Sequence, residues 1–247
     1  MQAIDCFCGA GGLTRGLLDA GVSVVAGFDI DSRCKETYER NNRPARFYEA
    51  DITRMDAAMI WRSVGTHPKS DILLAGCAPC QPFSQYKNGN QHETGQNALK
   101  RDPDSKLLGA FARLVELIRP GQVLVENVPG LTWVQGFSTY RRFLQMLRTL
   151  GYSVAEAVLD AKTFGVPQTR RRYVLIAIRG KRATLPEPVF GPGLASYSTV
   201  RDAISHFPPI RAGERHPFVL NHETAIISEI NLKRLSHTPH DGGDRRA

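Results

Sequence analysis

Hydrophobic residues in the first 180 positions follow two alternating patterns: short apolar runs and longer stretches with apolar residues at helical spacing. The runs predict seven strands, over 3–7, 22–28, 45–48, 71–75, 123–125, 152–159 and 173–178. The amphipathic stretches predict helices over 13–20, 32–41, 106–118 and 137–150, with Ser32 as an N-cap. Strands alternating with helices, and apolar along their whole length, are typical of a sheet covered on both faces. The pattern therefore predicts an α/β fold, doubly wound around a mostly parallel seven-stranded sheet.

Two stretches depart from this alternation. Residues 85–104 are polar and lack periodicity, which favours a long functional or irregular loop. From Gly180 onward the chain is rich in proline and glycine, and then basic. We therefore expect one domain over residues 1–180 and an extension over 181–247.

Composition narrows the class of protein. Hydrophobic residues make up 42% of the chain, enough for a sizeable core. Lys and Arg number 32 against 24 Asp and Glu, and this net charge of +8 favours a polyanionic partner such as nucleic acid. No apolar run approaches the ~18 residues that cross a membrane. The five cysteines are an odd number and Met1 begins no basic-then-apolar leader, so we expect a reducing, cytoplasmic location.

A glycine-rich turn, residues 7–12, lies between the first strand and the first helix. Its glycines allow the backbone to approach a ligand at a helix N-terminus, and Asp29 at the end of the second strand could bind ribose hydroxyls. Thr14 at the third glycine position excludes the dinucleotide fingerprint, and no Gly-Lys-Ser/Thr follows as in a P-loop. The pattern favours a nucleoside without a pyrophosphate; a turn that serves only packing is the alternative.

Cys80 follows the strand 71–75 in a loop that holds Pro79 and Pro82 on either side of it. Prolines fix φ and remove backbone donors, so this thiol is held at a set angle, as a nucleophile requires. Cys77 and Cys80 also have the spacing of a thiol redox pair. Zinc bound with Cys6 and Cys8 is disfavoured, because we expect those two side chains to point to one side of a buried strand.

Glu126 directly follows the apolar strand 123–125. A carboxylate is costly to bury without a task or a partner, so we expect Glu126 to hold or give a proton, with a turn carboxylate as the alternative. Further on, Gln168, Arg170 and Arg172 alternate along a segment that we expect to be extended, which would place them on one face. Two arginines on one face suit an anionic group, although a solvated strand end is the usual fate of such runs.

These loops should meet at one place, because ligands of open α/β sheets bind at the carboxyl edge of the strands. Together the motifs resemble the DNA cytosine-5 methyltransferase family over most of residues 3–180. The resemblance rests on Phe7-x-Gly9-x-Gly11-Gly12, Asp29-Ile30, Ala50-Asp51-Ile52, Pro79-Cys80-Gln81, Glu126-Asn127-Val128 and Gln168-x-Arg170-x-Arg172, in the family's order.

The resemblance implies the S-adenosylmethionine-dependent, Rossmann-like type of sheet, double-stranded DNA as substrate, and no metal. The implied cofactor-binding residues are Phe7, Cys8, Gly9, Ala10, Gly11, Gly12, Asp29, Ile30, Asp51, Ile52, Pro79 and Leu107. The implied catalytic residues are Cys80, Glu126, Arg170 and Arg172, and Gln81, Ser84 and Gln168 would bind substrate. Cys80 would add to carbon 6 of a flipped-out cytosine while Glu126 holds its N3 and amino group.

The chain also departs from the family. Asp104 stands near a position where the family usually has an arginine, and neither the variable DNA-reading region nor the late Gly-Asn motif is visible before Ala247. We therefore expect a second polypeptide that carries DNA recognition, or a truncated gene, in a bacterial or phage restriction–modification system. An RNA-methylating relative would usually carry a Cys-Phe-Thr element, which we do not find. A thiol-disulfide oxidoreductase would leave Glu126 without a task, and a non-catalytic subunit would not need Cys80, Glu126 and Arg170 together.

Overall fold

The computed structural model describes residues 1–65, 68–78, 103–133 and 138–239. Contacts divide the chain into two compact units, Met1–Tyr197 and Ser198–Ala247. The boundary at residue 180, and the division of tasks across it, stay predictions.

The first unit is built on one sheet of seven strands, in the order β3-β2-β1-β4-β5-β7-β6. The strands are β1 Gln2–Cys6, β2 Ser23–Asp29, β3 Arg46–Glu49, β4 Ile72–Gly76, β5 Gln122–Asn127, β6 Tyr152–Asp160 and β7 Arg171–Arg179. The first five strands pair in parallel, whereas β7 is antiparallel to both β5 and β6. The predicted α/β class with a mostly parallel seven-stranded sheet is confirmed.

Helices cover both faces of this sheet. In the described part of the first unit they are α1 Gly12–Asp19, α2 Lys35–Asn41, α3 Ala57–Val64, α4 Pro103–Ile118, α5 Gly130–Trp133 and α6 Ser138–Thr149. One buried apolar cluster lies under α3, α4 and α6, and includes Ile60, Leu114 and Phe143. The other lies under α1 and α2 and includes Val24 and Tyr38. Within the described ranges, no helix is long and apolar enough to cross a membrane.

Three local predictions need correction. The stretch 32–41 begins as a 3-10 turn, Ser32–Cys34, and its N-cap is Asp31 rather than Ser32, because the Asp31 carboxylate accepts the Arg33 N–H at 3.1 Å. Helix α3 was not predicted; Asp56 caps it by accepting the Met59 N–H at 2.9 Å. Helix α4 begins at Pro103, where a missing N–H costs nothing, so position 104 belongs to the helix and not to the loop.

The second unit, taken by itself, has little regular structure. It contains α7 Val200–Ile204, which begins with a Thr199/Asp202 capping box, and α8 Glu229–Ser236. No residue of 198–239 is buried. Helices of this length are not stable alone in water, and a segment without buried side chains has no core to hold them.

Candidate active site

The site is built at the carboxyl edge of four neighbouring parallel strands. Cys6 of β1 pairs with Phe28 of β2 and Gly76 of β4, and Gly76 pairs in turn with Val125 of β5. The residues that follow these positions are Phe7, Asp29, Cys77 and Glu126. Parallel pairing thus brings the glycine turn, the carboxylate of Asp29 and the end of β5 to one edge of the sheet.

The glycine turn is held in a conformation that few residues adopt. Phe7, Gly9 and Gly11 have φ of 63°, 49° and 94°. The Gly9 N–H donates to Asp29 Oδ2 at 2.8 Å, and the Cys8 N–H donates to the Phe28 carbonyl at 3.1 Å. A methyl group at Gly11 would come within 2.2 Å of Asn42 Nδ2, so only glycine fits there.

Among the described residues, no atom apart from those of the adjoining backbone lies within 4 Å of the place where a side chain would begin at Gly9 or Gly12. Beside Asp29, the apolar residue Ile30 is 69% exposed. A carboxylate beside a glycine turn at a helix N-terminus suits a nucleoside without a pyrophosphate. The parts of Asp29, Ile30 and the turn in cofactor binding stay predictions.

The other predicted cofactor residues have mixed surroundings. Asp51 accepts hydrogen bonds from the N–H and hydroxyl of Thr53 at 2.9 and 2.7 Å, and these bonds lower the pKa of Asp51. Ile52 and Cys8 are buried, Ala10 is exposed, and Leu107 is half-buried in α4. Their part in cofactor binding stays a prediction.

Glu126, the residue before the last in β5, has an arginine beside it. Arg172 Nε lies 3.0 Å from Glu126 Oε1, and the two side chains are 26% and 33% exposed. The pair forms because β7 runs antiparallel to β5, so the start of β7 lies beside the end of β5. The expectation of a buried carboxylate is thus only partly met, since Glu126 is half-buried and has a charged partner.

Asn127 connects this strand end to the predicted nucleophile loop, a role that we did not assign from the sequence. Its Nδ2 donates to the Ala78 carbonyl at 3.1 Å, its Oδ1 accepts the Val128 N–H at 2.9 Å, and its side chain is buried. An asparagine directly after an apolar strand was the available signal. Ala78 is the last described residue before Cys80; Pro79, Cys80, Gln81 and Ser84 lie outside the described residues.

The surroundings of Cys77 do not favour a redox role. Burial and the nearby Glu126 charge raise the pKa of this thiol, whereas a reactive thiol needs a lowered pKa. Cys6 and Cys8 were expected on one side of a strand, but they lie in different apolar clusters, because β1 ends at Cys6 and Phe7 reverses the backbone. Among the described residues, no group of three His, Cys, Asp or Glu could hold a metal ion.

Gln168, Arg170 and Arg172 do not lie in one strand, and their shared face stays a prediction. The chain bends at 167–168, where the Gln168 N–H donates to the Val166 carbonyl at 2.7 Å, and β7 begins only at Arg171. Arg172 alone of the three lies in the strand and contacts Glu126. The side chains of Gln168 and Arg170 are exposed, while the Arg170 N–H donates to Asp160 Oδ1 at 3.1 Å.

A buried polar group beneath the glycine turn was also missed. Asp5 of β1 is fully buried and accepts the Thr14 hydroxyl at 2.7 Å. Burial raises the pKa of Asp5 to about 7, although hydrogen bonds from Thr14 act in the opposite direction. A lone aspartate within an apolar strand was the signal in the sequence.

Comparison with known proteins identifies the family. Residues 1–231 match the family described as C-5 cytosine-specific DNA methylase. The chain belongs to this family. The type II methylase M.HgiDII of Herpetosiphon aurantiacus is 36% identical over 236 residues, which are 95% of this chain and 62% of that protein. The type II methyltransferase M.AquIA of a Picosynechococcus strain is 32% identical, over 84% of this chain and 89% of that protein.

A solved structure supports the same assignment. The putative DNA modification methyltransferase of an E. coli prophage superposes with a TM-score of 0.69 at 26% identity, covering 86% of this chain and 57% of that one. Family and fold together imply S-adenosylmethionine as the methyl donor. This C-5 cytosine methylase chain spans 62% of the length of M.HgiDII.

Proposed function

We propose that this chain carries the catalytic centre of an enzyme that methylates carbon 5 of cytosine in double-stranded DNA, within a type II restriction–modification system. The ion pair of Glu126 and Arg172, at 3.0 Å on the edge that also holds the glycine turn, is the observation that supports it most. That pair offers a carboxylate of fixed orientation to a base, next to a place suited to a nucleoside cofactor.

Chemistry at carbon 5 needs a nucleophile first, because cytosine is not nucleophilic at that atom. We assign this task to Cys80, whose thiolate would bond to carbon 6 and move an electron pair toward carbon 5. Glu126 would hold N3 and the amino group and stabilise the charge that develops there. S-adenosylmethionine would supply the methyl group. Loss of the carbon-5 proton to a base would then let the Cys80 sulfur leave and restore the ring.

Arg172 would fix the direction of the Glu126 carboxylate, and the exposed Arg170 would contact the backbone of the flipped nucleotide. Asn127 would hold the loop that leads to Cys80, since the carbonyl of Ala78 that it binds is two residues away along the chain. The excess of basic residues, a net charge of +8, suits a DNA substrate.

We further propose that a second polypeptide supplies DNA recognition. The chain covers 62% of the length of M.HgiDII, and the second polypeptide would supply a region equivalent to the remainder of that protein. Chains of about the present length occur in the family, because the match covers 89% of M.AquIA.

The test is a covalent adduct with DNA that contains 5-fluorocytosine, using the complete enzyme. Fluorine cannot leave as a proton does, so attack by Cys80 would leave a protein–DNA complex that survives denaturation. We expect Cys80→Ser to lose both the complex and methyl transfer, and Cys77→Ser to keep both. Undiminished methyl transfer by Cys80→Ser would contradict the assignment, and loss of activity in Cys77→Ser alone would favour a redox enzyme.

A further inference from the structure

A hydrogen-bonded chain of three buried side chains lies beneath the glycine turn. The Thr14 hydroxyl donates to Asp5 Oδ2 at 2.7 Å and lies 3.0 Å from the Tyr38 hydroxyl. Because Thr14 has a single hydroxyl proton and gives it to Asp5, the Tyr38 hydroxyl must be the donor in the second bond. All three residues are 0% exposed.

The chain joins the three elements that surround the turn. Asp5 lies in β1, which enters the turn; Thr14 lies in the first turn of α1, which leaves it; and Tyr38 lies in α2. The N-cap of α1 is Gly11, which has no side chain to bind the free N–H groups of the helix. A buried side chain on the preceding strand therefore replaces the usual capping residue as the polar anchor of α1.

Tyr38 also contacts both glycines on which the cofactor edge depends. A methyl group at Gly11 would lie 2.8 Å from Tyr38 Cδ2, and one at Gly27 would lie 2.4 Å from the Tyr38 hydroxyl oxygen. Gly11 belongs to the turn, and Gly27 lies two positions before Asp29, the carboxylate that accepts the Gly9 N–H. The ring thus packs between the turn and the strand that carries Asp29.

Burial of these three polar side chains costs free energy that apolar side chains at the same positions would not cost. Tyr38 packs in an apolar cluster with Ala3, Val24 and Leu73, and the buried Asn42 donates from Nδ2 to its carbonyl at 2.9 Å. A carboxyl group and two hydroxyls are thus buried beside apolar side chains. Asp5 Oδ1 has no hydrogen-bond partner among the described residues. Hydrogen bonds are directional, whereas apolar contacts are not. These bonds therefore fix the position of the start of α1 relative to β1.

We propose that Asp5, Thr14 and Tyr38 are positioning residues for S-adenosylmethionine, which hold the glycine turn in the shape that receives the cofactor. The inference rests on the proposed function only for the identity of that cofactor. None of the three needs to touch the cofactor, because they act through the backbone of residues 7–12.

The direct test is amide hydrogen exchange at Gly9 and Gly11 in the protein without cofactor. Thr14→Val removes the hydroxyl at nearly constant volume, Tyr38→Phe removes only the terminal oxygen, and Thr14→Ser keeps the bond. We expect faster exchange of both amides in the first two variants and wild-type exchange in Thr14→Ser.

Tyr152→Phe is the matched control. The Tyr152 hydroxyl donates to the Pro120 carbonyl, is also buried, and lies at the other end of the sheet. Its loss should lower the melting temperature about as much as Tyr38→Phe does, without changing exchange at Gly9 and Gly11. If Tyr38→Phe and Thr14→Val change exchange at these amides no more than Tyr152→Phe does, the three residues stabilise the fold only and the proposal is overturned.

Kinetics of the complete enzyme give a second readout. Loss of one net hydrogen bond predicts a KM for S-adenosylmethionine raised roughly three- to tenfold in Thr14→Val, with kcat nearly unchanged. An equal fall of kcat with unchanged KM would contradict a role in cofactor positioning. Failure of the Cys80 assignment would leave the exchange result intact, so the two proposals fail separately.

The pH dependence of unfolding isolates Asp5. Titratable groups near it are Asp29, Tyr38, Cys6, Cys8 and Cys77. Because the folded protein holds the Asp5 proton up to about pH 7 against an ordinary value of 3.8, this group makes the folded state less stable as pH rises from about 4 to 7. Asp5→Asn keeps an acceptor for Thr14 but cannot ionise, so it should flatten this slope; an unchanged slope would contradict the burial of a titrating Asp5.

Discussion

At the scale of single residues, the contact with Arg172 orients the Glu126 carboxylate. Arg172 Nε lies 3.0 Å from Glu126 Oε1, and both side chains are half-buried, so the bond is worth more than a fully exposed ion pair. We expect Arg172→Ala to lower kcat about 10- to 100-fold, which corresponds to about 1.5–3 kcal/mol for a hydrogen bond to a charged group. Arg172→Lys should recover part of the loss, because an ammonium keeps the charge but not the planar guanidinium.

Arg179→Ala is the control for this prediction, since Arg179 ends the same strand at its far end and binds the Arg119 carbonyl there. Single-turnover methyl transfer with saturating DNA and cofactor measures the effect. A fall in kcat in Arg179→Ala as large as that in Arg172→Ala would mean that β7 as a whole, and not the ion pair, sets the rate.

Residues that act through their own chemistry could be predicted, whereas those that depend on long-range contacts could not. Asp29 and Glu126 stand out because each ends an apolar run, which the sequence displays directly. The pairing of Glu126 with Arg172 depends on β7 entering between β5 and β6, and apolar runs look alike in parallel and antiparallel strands. Asp5 was missed for a similar reason, since its partner Thr14 is revealed only when α1 packs on β1.

At the scale of elements, close packing of a helix on the sheet explains one glycine, Gly27. Gly27 of β2 faces the Tyr38 ring of α2, and a methyl group there would come within 2.4 Å of that ring. At Gly16 in the middle of α1, by contrast, no atom of the described residues outside the helix backbone lies within 4 Å of the same position. The two sites therefore form a matched pair for one substitution.

We expect Gly27→Ala to lower the free energy of unfolding by about 1–3 kcal/mol, because a packed interior cannot admit the extra carbon without strain. Gly16→Ala should raise it by about 0.5–1 kcal/mol, because alanine loses less backbone entropy in a helix. Urea denaturation of both variants against wild type measures the difference. If both substitutions change the free energy of unfolding in the same direction, the difference in packing between Gly27 and Gly16 does not determine their effects.

The order of strands and helices could be read from their alternation, and the errors cluster where elements are short. Helix α3 has eight residues, little more than two turns. Its apolar residues repeat too few times to distinguish a helix from a loop by their spacing. The start of α4 was displaced because Pro103 reads as a helix breaker unless its place in the first turn is known.

At the scale of the whole molecule, the contacts within the second unit do not explain its stability. None of its described residues is buried, and Phe218, Leu220 and Ile226 are 90%, 87% and 91% exposed. Large apolar side chains at this exposure have no stabilising role in a unit that stands alone. They suit a surface that another polypeptide covers, in line with the proposed second chain.

Two measurements follow from that reading. Residues 1–247 alone should transfer methyl groups from S-adenosylmethionine to DNA at a trace rate, and addition of the polypeptide that supplies DNA recognition should restore the rate. Leu220→Ser and Ile226→Ser should leave the unfolding transition of the chain alone unchanged, because these side chains contact little, yet weaken binding of the second polypeptide. Leu114→Ser, a fully buried residue of α4, is the contrast, since it should destabilise the chain itself. Robust sequence-specific methylation by residues 1–247 without a partner would exclude the second chain, because DNA recognition would then lie within the present sequence.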